Sequence, residues 1–99
     1  MNRQEATPAP ISYYEIGTIK LERVHIDNSR YCYNEYYENK NLKSETPFFM
    51  NLQCGVQKEY YPCGNLKSEI NFFMGKQIGT KNRYFKSGIL KRQQHQKRF

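Results

Sequence analysis

Leucine, isoleucine, valine and alanine are scarce in this chain, and only 37% of its residues are hydrophobic. Much of that share is tyrosine and phenylalanine. Long amphipathic helices are excluded on this ground, because they need an aliphatic stripe every third or fourth residue. A thick two-layer core is excluded for the same reason. Cysteine is present three times, as Cys32, Cys54 and Cys63. The count is odd and no pair has CxxC spacing, which argues against a disulfide framework and for a reducing compartment, the cytoplasm by default. The two histidines, His25 and His95, sit in no ligand pattern, so neither a metal nor another cofactor is expected. The first ten residues hold no apolar segment, and no run is long enough for a membrane-spanning helix. Acidic residues are missing altogether after position 75, where Lys76, Lys81, Arg83, Lys86, Lys91, Arg92, Lys97 and Arg98 gather much of the net charge of +7.

Nor does the chain carry the constellations of catalysis. The cysteines lack an evident histidine partner, no phosphate-binding loop occurs, and Glu45 and Glu69 each follow a lysine two positions back, as surface ladders do. Catalysis needs convergent groups, so the chain is not expected to be an enzyme.

What is abundant is tyrosine, nine residues in 99. Tyrosine covers apolar area while its hydroxyl stays wet, which suits half-exposed surfaces. The tyrosines are also periodic. Tyr60-Tyr61-Pro62-Cys63-Gly64-Asn65-Leu66-Lys67-Ser68-Glu69 has a near copy in Tyr36-Tyr37-Glu38-Asn39-Lys40-Asn41-Leu42-Lys43-Ser44-Glu45. Looser copies begin at Tyr13 and Tyr84. The leading tyrosines at 13, 36, 60 and 84 are spaced by 23, 24 and 24 residues. A fixed period of this length marks a repeat architecture.

Within each unit the pattern is strand, turn, strand. Gly17, Gly64 and Gly88 recur at the first turn and supply the positive φ that a tight hairpin requires. Lys40 takes that place in the second unit, at a cost of roughly 1 kcal/mol, so this turn is expected to be strained or rebuilt around Asn39 or Asn41. The fold class that follows is all-β: an elongated antiparallel meander of stacked β-hairpins with about eight strands, spanning roughly 35 Å at ~4.8 Å per strand. Residues 1–10 read as a flexible lead. Four tandem units follow at about 11–30, 31–55, 56–79 and 80–92, and 93–99 reads as a basic tail.

Parity places Tyr60, Leu66, Ser68, Ile70 and Phe72 on one side of the third unit, and Tyr36, Leu42, Thr46 and Phe48 on the same side of the second. Tyr84 and Leu90, then Tyr13, Ile19 and Leu21, continue the set. Arg23 and His25 fall where Ile70 and Phe72 would be, and the first unit is one residue short. Lys43/Glu45 and Lys67/Glu69 should form a charge ladder on the other side. Phe49, Met50, Leu52, Phe73 and Met74 gather at one rim.

The pattern Tyr-Tyr-x-x-Gly-x-Leu-Lys-x-Glu resembles the MORN repeat. It is more closely similar to the MORN variant of bacterial YwqK-family antitoxins, with Tyr36–Glu45, Gly55, Tyr60–Glu69, Gly75-Lys76 and Gly79 carrying the likeness over about residues 13–92. The resemblance implies a β-hairpin sheet used for binding, with a toxin as one kind of partner. Lys40 and Cys63 depart from the pattern. Two binding readings follow. In the first, an aromatic face made of Tyr13, Tyr36, Tyr60, Tyr84, Phe48 and Phe72 contacts another protein. In the second, Lys81, Arg83, Lys86, Lys91, Arg92, Lys97 and Arg98 bind an anion such as a phospholipid headgroup or nucleic acid. The open first and last strands also invite edge-to-edge self-association.

Overall fold

In the computed structural model, which describes residues 7–96, the chain is one antiparallel sheet. Its strands are β1 (Thr7–Tyr13), β2 (Ile19–His25), β3 (Arg30–Tyr36), β4 (Leu42–Phe49), β5 (Leu52–Gln53), β6 (Gly55–Tyr60), β7 (Leu66–Phe73), β8 (Lys76–Tyr84) and β9 (Leu90–Gln96). The spatial order follows the chain, β1-β2-β3-β4-β6-β7-β8-β9, with the short β5 also on β4. The meander of stacked hairpins is therefore the architecture. The described part extends 38 × 34 × 24 Å.

Each tyrosine pair enters the same turn. Tyr14 N donates to the Thr18 carbonyl and Gly17 N to the Tyr14 carbonyl, at 2.8 and 2.9 Å. The same two bonds recur at Tyr37/Asn41, Tyr61/Asn65 and Phe85/Ile89. This is a three-residue hairpin loop ending in a left-handed residue. Lys40 occupies that position with φ 76°, where its counterpart Gly64 has φ 101°. The turn is thus kept rather than rebuilt, and Asn39 helps hold it by accepting from Asn41 N at 2.9 Å.

At the opposite rim, residues 50–51 and 74–75 form two-residue turns. Met50, Asn51, Met74 and Gly75 all have positive φ, as the hairpin turn matching strand twist demands. No loose link follows either turn: Leu52–Gln53 pairs with β4 at once, and the strand breaks only at Cys54, whose N–H donates to the Pro47 carbonyl, while β8 begins at Lys76. Pro47 offers no donor to the ladder, and its Cγ would lie 3.0 Å from a Cβ placed on Gly55. Proline and glycine at facing positions account for the interruption.

Two boundaries differ from expectation. β1 begins at Thr7, so the sheet includes residues 7–10 of the stretch read as a loose lead. Pro8 and Pro10 are tolerated because β1 is an edge strand. β9 likewise runs on to Gln96. Residues 1–6 and 97–99 lie outside the described residues.

A register shift recurs at the same place in every hairpin. Glu59 pairs with Ser68, but the next residue, Tyr60, pairs with Leu66, so Lys67 is skipped. The same slip occurs between Glu35 and Tyr36, and between Arg83 and Tyr84. Because side chains alternate along a strand, one skipped residue reverses which side each belongs to. The leading tyrosines therefore do not share a face with Ser68, Ile70 and Phe72. That part of the parity reading is corrected.

Candidate functional site

The sheet has two distinct faces. On one lie the leading tyrosines. Tyr36 donates its hydroxyl to the Glu22 carboxylate and Tyr84 donates to Glu69 at 2.7 Å. Tyr60 hydrogen-bonds to Glu45. Each tyrosine thus meets a carboxylate of the preceding unit. The hydroxyl of Tyr36 is pushed up to about 12, by burial first and then by its bond to Glu22. Tyr60 is raised by burial and the charge of Glu45, and Tyr84 by its hydrogen bond to Glu69. The expected lysine–glutamate ladder is replaced by this one. Lys43 and Lys67 lie over the rings of Tyr37 and Tyr61, each at 5.7 Å from the centroid, as Lys20 lies over Tyr14. Among the described residues, the ion pair is Arg30–Asp27 at 2.7 Å, in the 27–30 turn.

The second tyrosine of each pair joins neighbouring units. Tyr14 donates to the Tyr36 carbonyl, Tyr37 to that of Tyr60 and Tyr61 to that of Tyr84, at 2.6–2.8 Å. Asn41 and Asn65 reach the Pro62 and Lys86 carbonyls in parallel. Most tyrosine hydroxyls are therefore committed to holding the array together.

The other face carries an aromatic cluster. Tyr31 stacks on Phe48, with centroids 5.2 Å apart and planes 4° from parallel. Tyr33 meets both edge-on, at 5.7 and 5.6 Å. His25 tilts against Tyr31 at 6.0 Å. The Arg23 guanidinium lies 4.0 Å above the Tyr31 ring. The pairings build this directly: His25, Tyr31 and Phe48 are opposite one another across β2, β3 and β4, and Arg23, Tyr33 and Thr46 form the next row. Arg23 and His25 do occupy the row positions of Ile70 and Phe72, and β2 pairs with β3 without a register shift. On this face Ser44 and Ser68, both buried, donate to Glu35 and Glu59 at 2.8 and 2.9 Å.

Among the described residues no hydrophobic side chain is buried. Both faces of the single layer meet solvent, and the rim residues Met50 and Phe73 are 62% and 59% exposed.

The proposed aromatic face is accordingly split. Phe48 and Phe72 lie on the clustered side, while Tyr36, Tyr60 and Tyr84 lie on the carboxylate side; Tyr13 is exposed near the β1 edge. Tyr31, Tyr33, Arg23 and His25 were not in the sequence-derived set. Their signal was the Tyr-x-Tyr and Arg-x-His alternation ahead of the repeat. Of the basic residues, Arg83 and Lys81 stand opposite Ser68 and Ile70 on the clustered side, and Lys86 is in an exposed turn. Lys91 and Arg92 belong to β9, opposite no acid in the register. Lys97 and Arg98 lie outside the described residues. The cysteines are free, Cys32 and Cys54 half-buried and Cys63 exposed, with the Cys32 thiol raised by burial. Among the described residues no helix is long and apolar enough to cross a membrane.

A hairpin, a paired-tyrosine turn and a one-way bond to the next unit define the repeat. Residues 32–49 and 53–73 match the MORN repeat variant. The two matched stretches are the β3–β4 and β6–β7 hairpins. No curated protein and no solved structure matches the chain. The outer hairpins carry the same turn bonds, although the match does not extend to them.

Proposed function

We propose that the chain is a non-catalytic protein-interaction module and that its contact surface is the Arg23–Tyr31–Tyr33–Phe48 cluster. MORN repeats generally serve as interaction modules. The observation that carries the assignment to this face is the cluster itself: stacked rings and an arginine, half-buried and packed together on one face of an open sheet. Tyrosine and arginine dominate binding hot spots because they offer large contact area and directed polar groups at low entropic cost. The rings are already packed against one another, so little freedom is lost on contact. An antitoxin or immunity protein is one such module. Support for that finer reading is the likeness of Tyr36–Glu45 and Tyr60–Glu69 to the bacterial variant.

The test is capture of partners from the source cell by wild-type protein and by Phe48→Ala and Tyr33→Ala variants, at low and at moderate salt. A partner retained at both salts and lost by the variants supports the module. Capture unaffected by the variants rules out this face. Binding that disappears with salt alone favours the basic residues and an anionic ligand.

A further inference from the structure

Among the described residues, three of the hollows in the sheet differ in charge. One on the tyrosine side is lined by Glu22 and Tyr36, and another on that side by Glu45 and Lys58. The third, of about 270 Å³, lies at the corner where the aromatic cluster meets the rim. Arg23, His25, Tyr31, Met50 and Asn51 are among its walls, and among the described residues none of those walls is acidic. The other two each contain a carboxylate of the chain's own; this one contains a guanidinium instead.

We infer that this corner takes the carboxylate of an aspartate or glutamate on an acidic segment of the partner protein, a refinement that rests on the module reading above. The Arg23 guanidinium lies over the Tyr31 ring at 4.0 Å and 5.9 Å from that of Tyr33, so it is placed between aromatic neighbours before anything binds. Its Nε is out of contact with water and has no hydrogen-bond partner. Part of the desolvation that normally opposes ion pairing is therefore already incurred in the free protein. Its cross-strand neighbours are Ala9 and Tyr33, neither of them acidic. The nearby carboxylate of Asp27 is occupied by Arg30 and by backbone N–H groups of the turn. Asn51, another wall of the hollow, accepts from the Tyr31 hydroxyl at 3.1 Å. Met50, 62% exposed beside it, offers a landing place for an apolar neighbour of the bound acid. One fixed guanidinium matches a monoanionic carboxylate better than a phosphate dianion, and a net charge of +7 attracts acidic segments over distance.

The probe is a capped tetrapeptide alternating glutamate with phenylalanine, titrated into labelled full-length protein and followed by NMR at the Arg23 Nε–H and at the backbone of Tyr31 and Asn51. Its glutamine counterpart and inorganic phosphate are the comparisons. Saturable shifts at these three residues are expected, with the glutamine peptide weaker by about ten-fold. Arg23→Gln should abolish the response and Arg23→Lys should restore only part of it. Should Arg23→Gln unfold the cluster, Asn51→Asp serves in its place. It keeps the acceptor for Tyr31, suits a left-handed turn, and sets a negative charge at the hollow, weakening the glutamate peptide by about five-fold. Equal binding of both peptides, displacement by an equal concentration of phosphate, or shifts that map to another face would overturn the inference. If a partner needs Phe48 but ignores Arg23→Gln and Asn51→Asp, the corner assignment fails and the interaction module stands. If Phe48 is dispensable as well, the module reading of this face fails first.

Discussion

At the scale of single residues, Lys40 is the clearest local conflict. It sits at φ 76° where the other copies of the turn have glycine. A side chain there clashes with its own backbone, whereas glycine does not, although glycine loses more freedom on folding. Lys40→Gly should therefore raise stability by about 0.5–1 kcal/mol, seen as a higher urea midpoint with an unchanged slope. The carboxylate-bonded tyrosines make a second residue-scale prediction. A tyrosine whose folded value lies above its unfolded value keeps its proton in the native state after the unfolded chain has lost it. Stability from Tyr36 is thus complete below the ordinary tyrosine range near 10, and is lost as pH rises toward about 12. Tyr60 and Tyr84 add to the same decline. Tyr36→Phe should remove the most alkaline step from the tyrosinate absorbance titration and make the alkaline loss of stability shallower. At neutral pH it leaves Glu22, only 8% exposed, without its hydroxyl donor, a cost of about 1–2 kcal/mol.

At the scale of elements, the hairpins were readable and their faces were not. Paired tyrosines followed three residues later by glycine locate the turns at Gly17 and Gly64, Tyr84-Phe85 with Gly88 locates a third, and the repeat spacing locates the one at Lys40, because the loop geometry demands a left-handed residue there. The face of each tyrosine depends on whether Lys43 and Lys67 are counted or skipped, and nothing in the residues before or after them signals the slip. One miscounted position moved Tyr36, Tyr60 and Tyr84 to the wrong side and hid their carboxylate partners. Arg23 and His25, by contrast, stood out in the sequence as misfits in the repeat, and they proved to be the part of the surface that is not repeated. The bonds between elements are testable. Tyr37→Phe and Tyr61→Phe each remove a hydroxyl that spans two units, and each should cost about 1 kcal/mol. Tyr14→Phe should instead loosen chiefly the first hairpin, visible as faster hydrogen exchange in β1 and β2. Gly55→Ala should be worse than Gly64→Ala: both need a left-handed backbone, but only at Gly55 would the new methyl meet a ring carbon, that of Pro47 at 3.0 Å.

At the scale of the whole molecule, a sheet one layer thick behaves unlike a domain with an interior. Stability comes from nearest-neighbour pairing and shared hydroxyls rather than from a common core, as in other linear arrays. The surface newly exposed on unfolding is correspondingly small. A urea slope at or below about 1 kcal/mol/M is expected, the low end for a chain of this size, and equilibrium unfolding would measure it. The same thinness explains the exposed clusters. Aromatic rings that a two-layer protein would spend on its interior remain here on a surface, available to whatever the module meets.

The hydroxyl-to-carbonyl bonds all point the same way, from one unit to its successor, so the array has a head and a tail. The series stops at the fourth unit because Phe85 stands where Tyr14, Tyr37 and Tyr61 stand in the others and has no hydroxyl to offer. Lengthening the protein is therefore not equally easy everywhere. A duplicate of residues 56–79 spliced in after position 79 would find a donor waiting on one side and an acceptor on the other. A unit grafted beyond Phe85 would find no fastener until that ring is changed to tyrosine.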